Sequence, residues 1–279
     1  LASVGRPPVP QDVWGAWNLD PLLITGVVLA AWAYRRGRIG GPRRAADVWR
    51  SRCFAGALVA LAVALISPLD AMASALASAH MVQHVLLILV AAPLLALSAP
   101  SSALLRGTPP AVRRASTRWR RRFGLTHANL EPLRHPVTVW LLHAATLWLW
   151  HARVLYDAAL TNPAVHIAEH ATFVVTGLLF WRVVIGSRTT GRVSPGLAVL
   201  LIFTMALQSV FLSVLLVFAR TPWYAGYATT TRAWGLDQLA DQQLAGVIMW
   251  VPAGMIYVAA GLTVMITWLR AVERQAAEL

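Results

Sequence analysis

The sequence predicts an all-α, polytopic membrane protein: a bundle of about seven transmembrane helices, with the N-terminus outside and the C-terminus in the cytoplasm. Three observations carry this prediction. Of 279 residues, 58% are hydrophobic and 13% charged, where a soluble domain runs near ~45–50% and ~25%. That composition excludes an ordinary soluble domain and a disordered chain alike. The apolar residues also gather into seven runs close to the ~20 residues that cross a bilayer as a helix. Finally, the arginines crowd into alternate connections between those runs, as the positive-inside rule requires.

The runs cover residues 17–34, 53–67, 76–98, 137–156, 164–185, 195–219 and 239–269, the second being the shortest. Pro136, Pro163 and Pro195 stand at helix starts, where a missing N–H costs nothing. Pro68, Pro100 and Pro222 mark stops or turns. Pro93 and Pro252 fall inside runs and predict kinks. The chain therefore divides into an outer N-terminal segment (1–16), a membrane domain (17–270) and a cytoplasmic tail (271–279). Residues 1–20 carry Pro7, Pro8 and Pro10 and no apolar run, so they do not read as a signal peptide.

The formal charge is +13, and all 24 basic residues are arginine. With no lysine, Schiff-base chemistry is excluded. Seven arginines lie in 35–52, eight in 106–134, three in 182–192 and two in the tail; Arg6, Arg153, Arg220 and Arg232 fall on the other side. This places 20 arginines against 4 acidic residues inside, and 4 against 7 outside. The net charge is thus a topology signal and no sign of nucleic acid. The 106–134 segment, with Trp119 and Phe123 among its arginines, reads as an amphipathic stretch lying on anionic lipid headgroups. Trp148, Trp150, Trp223 and Trp234 fit an outer aromatic belt, and Trp32, Trp49 and Trp181 an inner one.

Ionisable residues inside spans are costly and usually functional. Six of the eight histidines fall in spans: His80, His84, His143, His151, His166 and His170. His80 and His84 (H-M-V-Q-H) and His166 and His170 (H-I-A-E-H) are i,i+4 pairs, so each pair projects from one helix face near the outer boundary. The fourth span ends outward in L-W-L-W-H and brings His151 to the same layer; His143 lies about 12 Å deeper at ~1.5 Å per residue. The seventh span opens with D-Q-L-A-D-Q-Q, and Asp70 lies in a short outer connection. His80, His84, His151, His166 and His170 are the candidate metal ligands. Glu169 and Asp241 are candidate partners that orient imidazoles, and Met81 and Asp70 are auxiliary. Met81 points about 100° from His80 on the helix, and hydrophobic filling is its plainer role. Cys53 stands alone, so an internal disulfide and thiolate clusters are excluded. Imidazole suits Cu, Zn, Fe and Ni.

These segments resemble the seven-helix CtaG family of cytochrome c oxidase assembly factors. The resemblance rests on H-M-V-Q-H-V-L-L and A-A-P-L-L-A-L at 80–97, and on L-W-L-W-H and L-Y-D-A-A-L at 147–160. N-P-A-V-H-I-A-E-H-A-T-F with G-L-L-F-W at 162–181 and D-Q-Q-L-A-G-V-I-M-W at 241–250 complete it. Order and spacing agree over roughly 17–270. One departure is that Ala152-Arg153-Val154 follow the Trp-His pair where the family pattern has a nearby proline. The resemblance implies a multi-pass protein of the bacterial plasma membrane that helps copper reach the oxidase subunits. It also implies that His80, His84, His151, His166 and His170 are the polar motif positions. Three other readings stand beside it. An intramembrane zinc hydrolase fits the H-x-x-E-H spacing of 166–170; a bis-histidine haem protein and a proton or ion transporter use the same layer. The sequence also admits a homo-oligomer.

Overall fold

Local chemistry sets where each helix begins. The computed structural model describes residues 7–39, 45–125, 129, 131, 135–186 and 193–277. Helix α1 (Pro21–Arg36) starts on Asp20, whose carboxylate accepts the N–H groups of Leu22 and Leu23. Helix α2 (Ala45–Leu65) is followed by the short α3 (Pro68–Ala73), capped by Ser67. Helix α4 (Ala77–Val85) passes through a π-helical turn (Leu86–Ala91) into α5 (Ala92–Ser98). After α6 (Ser101–Gly107) and α7 (Pro110–Arg122) come α8 (Pro136–His151), α9 (Arg153–Thr161) and α10 (Pro163–Gly186). Helices α11 (Pro195–Val217) and α12 (Gln238–Ala277) complete the chain. No strand occurs among the described residues.

The protein is a polytopic helical bundle. Among the described residues, five rods are long and apolar enough to cross a membrane: Ala45–Leu65, Ala77–Ser98, Pro163–Gly186, Pro195–Val217 and Gln238–Ala277. The other two expected spans form α1 and α8, each of 16 residues. At ~1.5 Å per residue these are about 24 Å long, short of a ~30 Å hydrocarbon layer.

Three boundaries differ from the sequence expectation. Helix α2 begins eight residues before the apolar run and carries Arg50 and Arg52. Helix α12 runs unbroken through Pro252 and on to Ala277, so most of the expected tail is helical. The fourth span does not reach Tyr156. Helix α8 stops at His151, Ala152 is extended, and Tyr156 belongs to α9. The His151 carbonyl accepts from the Tyr224 hydroxyl at 3.2 Å, a tertiary bond where helix continuation would place a backbone one.

The π turn answers the proline problem at Pro93. The Ala92 N–H reaches back to the Leu87 carbonyl, which frees the carbonyl of Ile88. The next N–H along the π ladder would be that of Pro93, which has none. Trp181 Nε1 from α10 donates to Ile88 O instead, at 2.9 Å. Trp181 is therefore a buried core residue and no part of an inner belt. Trp32, by contrast, is exposed with Arg36 over its ring.

Close packing ties the rods together. A Cβ on Gly246 of α12 would lie 2.7 Å from Val217 and 3.0 Å from the Ser213 carbonyl of α11; glycine lets these helices approach. The connections at one end are bonded to each other: Tyr227 donates to Ala73 O at 2.9 Å, Thr230 to Ala75 O at 2.7 Å and Trp234 to Pro8 O at 3.2 Å. In the same group Asn18 donates to Asp70 at 2.8 Å and Gly226 N–H to Asp157 at 3.3 Å. These links hold residues from the N-terminal segment, the α3 region, α9 and the 220–237 connection at one end of the bundle. Elsewhere Arg106 donates to Gly37 O at 3.1 Å and Arg38 pairs with Asp47 at 2.9 Å. Helix α7 has no buried residue. Val112, Ala115, Trp119 and Phe123 share one of its faces, and its arginines occupy the rest.

A buried histidine–glutamate cluster

The site lies beside that bonded end, at the starts of α4 and α10. Helix α4 has no side-chain cap of its own; its N-cap residue is Leu76. Asp241 of α12 supplies one from a distant part of the chain. One carboxylate oxygen accepts the Ala77 N–H at 2.7 Å, and the other accepts the N–H and hydroxyl of Ser78. A carboxylate at a helix N-terminus also complements the helix dipole. Asp241 thus touches the helix that carries His80 and His84, and no imidazole.

The two i,i+4 pairs face each other, with the ring centroids of His80 and His84 4.4 Å apart and those of His166 and His170 4.2 Å apart. Glu169 lies between the helices, its two oxygens 3.4 Å from His80 Nε2 and 3.4 Å from His84 Nε2. His80, His84, Glu169 and His170 each offer a ligand atom, and these atoms all lie within 4.8 Å of one another. A second set, Asp70, His166 and His170, meets the same limit and shares His170.

Hydrogen bonding fixes the tautomer of His80. The Tyr227 hydroxyl donates its one proton to Ala73 O, so its 3.1 Å contact with His80 Nδ1 needs the proton on the imidazole. In the neutral ring this leaves Nε2 with the lone pair, facing a carboxylate oxygen. Among buried side-chain atoms without a hydrogen-bond partner are His80 Nε2, both nitrogens of His84, both oxygens of Glu169 and His170 Nε2. Buried polar atoms are normally satisfied, so six exceptions on four neighbouring residues mark a site built for something else. The spacing fits a cation. With metal–ligand bonds of about 2.0–2.1 Å, the edge of a tetrahedron is about 3.4 Å, the separation from one Glu169 oxygen to His80 Nε2 and from the other to His84 Nε2.

His151 stands apart from both sets. Its Nδ1 donates to Leu147 O at 2.7 Å, and its Nε2 lies 3.4 Å from Met81 Sδ. Its ring centroid is 6.0 Å from that of His84. Met81, which the helix angle directs away from His80, meets α8 there. His143 is bonded to Thr176 Oγ1 at 3.0 Å and lines a small cavity with Met81, His84, His151, Ser209 and Met249.

Asp70 is a positioned carboxylate. Gln83 Nε2 donates to one oxygen at 2.9 Å and Asn18 Nδ2 to the other at 2.8 Å. Burial raises its carboxyl above the ordinary aspartate range, and these two hydrogen bonds oppose the rise. Sequence reasoning missed Tyr227, Gln83 and Asn18. Tyr227 and Asn18 reach the site from separate parts of the chain, and Gln83 lies inside the H-M-V-Q-H motif, where the i,i+4 spacing singles out only the two histidines.

Fold and site together define a multi-pass helical membrane protein with a cluster of metal-ligand side chains buried near one end. The chain belongs to the cytochrome c oxidase caa3 assembly factor family (Caa3_CtaG), whose model matches residues 28–271. Similar proteins include the uncharacterized protein Mb0105 of Mycobacterium bovis and the uncharacterized protein MT0111 of Mycobacterium tuberculosis. Each is 28% identical over 271 residues, covering 91% of this chain and 40% of the relative. The uncharacterized protein ML1998 of Mycobacterium leprae is 25% identical over 278 residues, covering 95% of this chain and 41% of its own. The chain thus spans about two fifths of the length of these relatives. No solved structure matches it.

Proposed function

We propose that this protein binds copper as cargo through His80, His84, Glu169 and His170, and passes it to a cytochrome c oxidase subunit during assembly. The observation that carries the reading is the gathering of one ligand atom from each of these four residues within 4.8 Å of one another, among buried side-chain atoms that have no hydrogen-bond partner. Imidazole nitrogens suit copper, and the Glu169 carboxylate offsets part of the ion's charge in a medium where an unpaired charge is costly. Tyr227 holds His80 with its Nε2 free to ligate, so part of the site is ordered before the metal arrives. Release follows by ligand exchange, one imidazole at a time, to donors on the oxidase.

Family membership supports the assembly role over the zinc-dependent hydrolase drawn from the same residues. The arginine distribution supports a plasma-membrane protein with the metal site toward the outside. Helix α7, with its apolar stripe and flanking arginines, suits the anionic inner surface. The test is metal analysis. Protein purified after copper loading is compared by mass spectrometry with a His84→Ala/His170→Ala double variant. Loss of bound copper from the variant is the expected result; equal copper in both removes the site assignment, and stoichiometric zinc in place of copper changes the cargo.

A further inference from the structure

Asp70, His166 and His170 form a second ligand set next to the first, and its position gives it a different task. We propose that this set is the inlet: an ion reaches Asp70 from outside the bundle, is taken by Asp70, His166 and His170, and moves inward to His80, His84 and Glu169. The proposal rests on the metal-site reading above and adds a route and an order of events to it.

Three observations carry it. A cavity of about 360 Å³ is lined by residues 16–21 with Asp70 and Ala71. Its rim includes Trp17 and Leu19, 54% and 70% exposed, while Asp70 itself is buried. Asp70 therefore stands where the cavity meets the protein interior. Burial is deeper at the inner set: Asp70 and His170 are 9% and 7% exposed and His166 is half-buried, while His80 and Glu169 are fully buried. Lastly, both oxygens of Asp70 accept amide hydrogen bonds while Glu169 accepts none. A carboxylate already bonded twice is the weaker ligand, which suits a site that must let go; the unpartnered one suits a site that holds.

His170 makes the two sets alternatives. A neutral imidazole has one lone pair, so His170 serves one ion at a time, and the two sets together hold a single ion. The ion changes partners by releasing Asp70 and His166 as His80, His84 and Glu169 close on it. No group is oxidised or reduced in the exchange.

The experiment uses the full chain in lipid nanodiscs and copper(I) supplied as its bicinchoninate complex. Stopped-flow absorbance follows the transfer, and metal analysis gives the end point. Wild type takes up one ion. Asp70→Asn and His166→Gln each slow uptake at least tenfold and still reach one ion, with final affinity within threefold of wild type. Glu169→Gln instead loses the end point. Unchanged rates in both inlet variants overturn the inlet. So does loss of the end point in Asp70→Asn, which makes Asp70 a resident ligand, or two ions in wild type. An outcome in which wild type takes up no copper removes the metal site itself along with its inlet, and is distinct from the others.

Discussion

Glu169 and Asp241 are two carboxylates near the same end of the bundle, each with 0% of its surface exposed, and the protein treats them in opposite ways. Asp241 accepts three hydrogen bonds from the start of α4, and its charge sits on a helix N-terminus. Glu169 accepts no hydrogen bond and faces two imidazoles at 3.4 Å, longer than the ~2.7–2.9 Å of a charge-assisted hydrogen bond. One carboxylate is part of the scaffold. The other is buried without a hydrogen-bond partner, at a cost in desolvation. The contrast separates the residues that place the site from those that would do its chemistry.

Four substitutions test that separation. Glu169→Gln has the largest effect on metal: copper affinity falls about 100-fold, on the scale expected when a group orienting or binding a metal is lost. Calorimetric unfolding of the metal-free variant shows no loss of stability, because the carboxyl replaced has no hydrogen-bond partner to lose. Asp241→Asn shows the reverse pattern. It lowers stability by about 1 kcal/mol, because the amide keeps one acceptor for the start of α4 and turns a donor toward the remaining N–H, while copper bound per folded molecule stays within threefold of wild type. If Asp241→Asn removes copper without lowering stability, the two roles are not separate. Tyr227→Phe sharpens the picture from the imidazole side. It leaves the His80 Nδ1–H without its acceptor and lowers copper affinity about tenfold in competition titrations. Met81→Leu has the smallest effect, below threefold, because the Met81 sulfur faces His151 and lies outside both ligand sets.

Much of the bundle follows from composition and period. Long apolar runs, prolines at helix starts and arginine clusters locate most of the helices, and the i,i+4 spacing puts His80 with His84 and His166 with His170. What periodicity cannot show is how far a helix continues or where tertiary contacts stop it. Tyr224, more than seventy residues away, occupies the carbonyl at which α8 ends, and the π turn before Pro93 depends on an indole from α10. The site divides the same way. Its histidines are legible because a helix repeats. Depth along the axis also brings His151 to the layer, but depth does not fix azimuth, and His151 turns to Leu147 and Met81 instead. Glu169 reads as an orienting partner when only its own helix is considered; between two helices it lies among the ligand atoms. Tyr227 and Asn18 have no local signature at all, and nothing in the H-M-V-Q-H motif marks its Gln83 as the donor to Asp70.

The central claim, that copper is held by His80, His84, Glu169 and His170, meets its most direct test in X-ray absorption at the copper edge of the loaded protein. A first shell of nitrogen and oxygen scatterers at about 2.0 Å, with no sulfur, is the result this account predicts. A sulfur scatterer near 2.3 Å, lost on Met81→Leu, would put the metal at the Met81–His151 contact and contradict it.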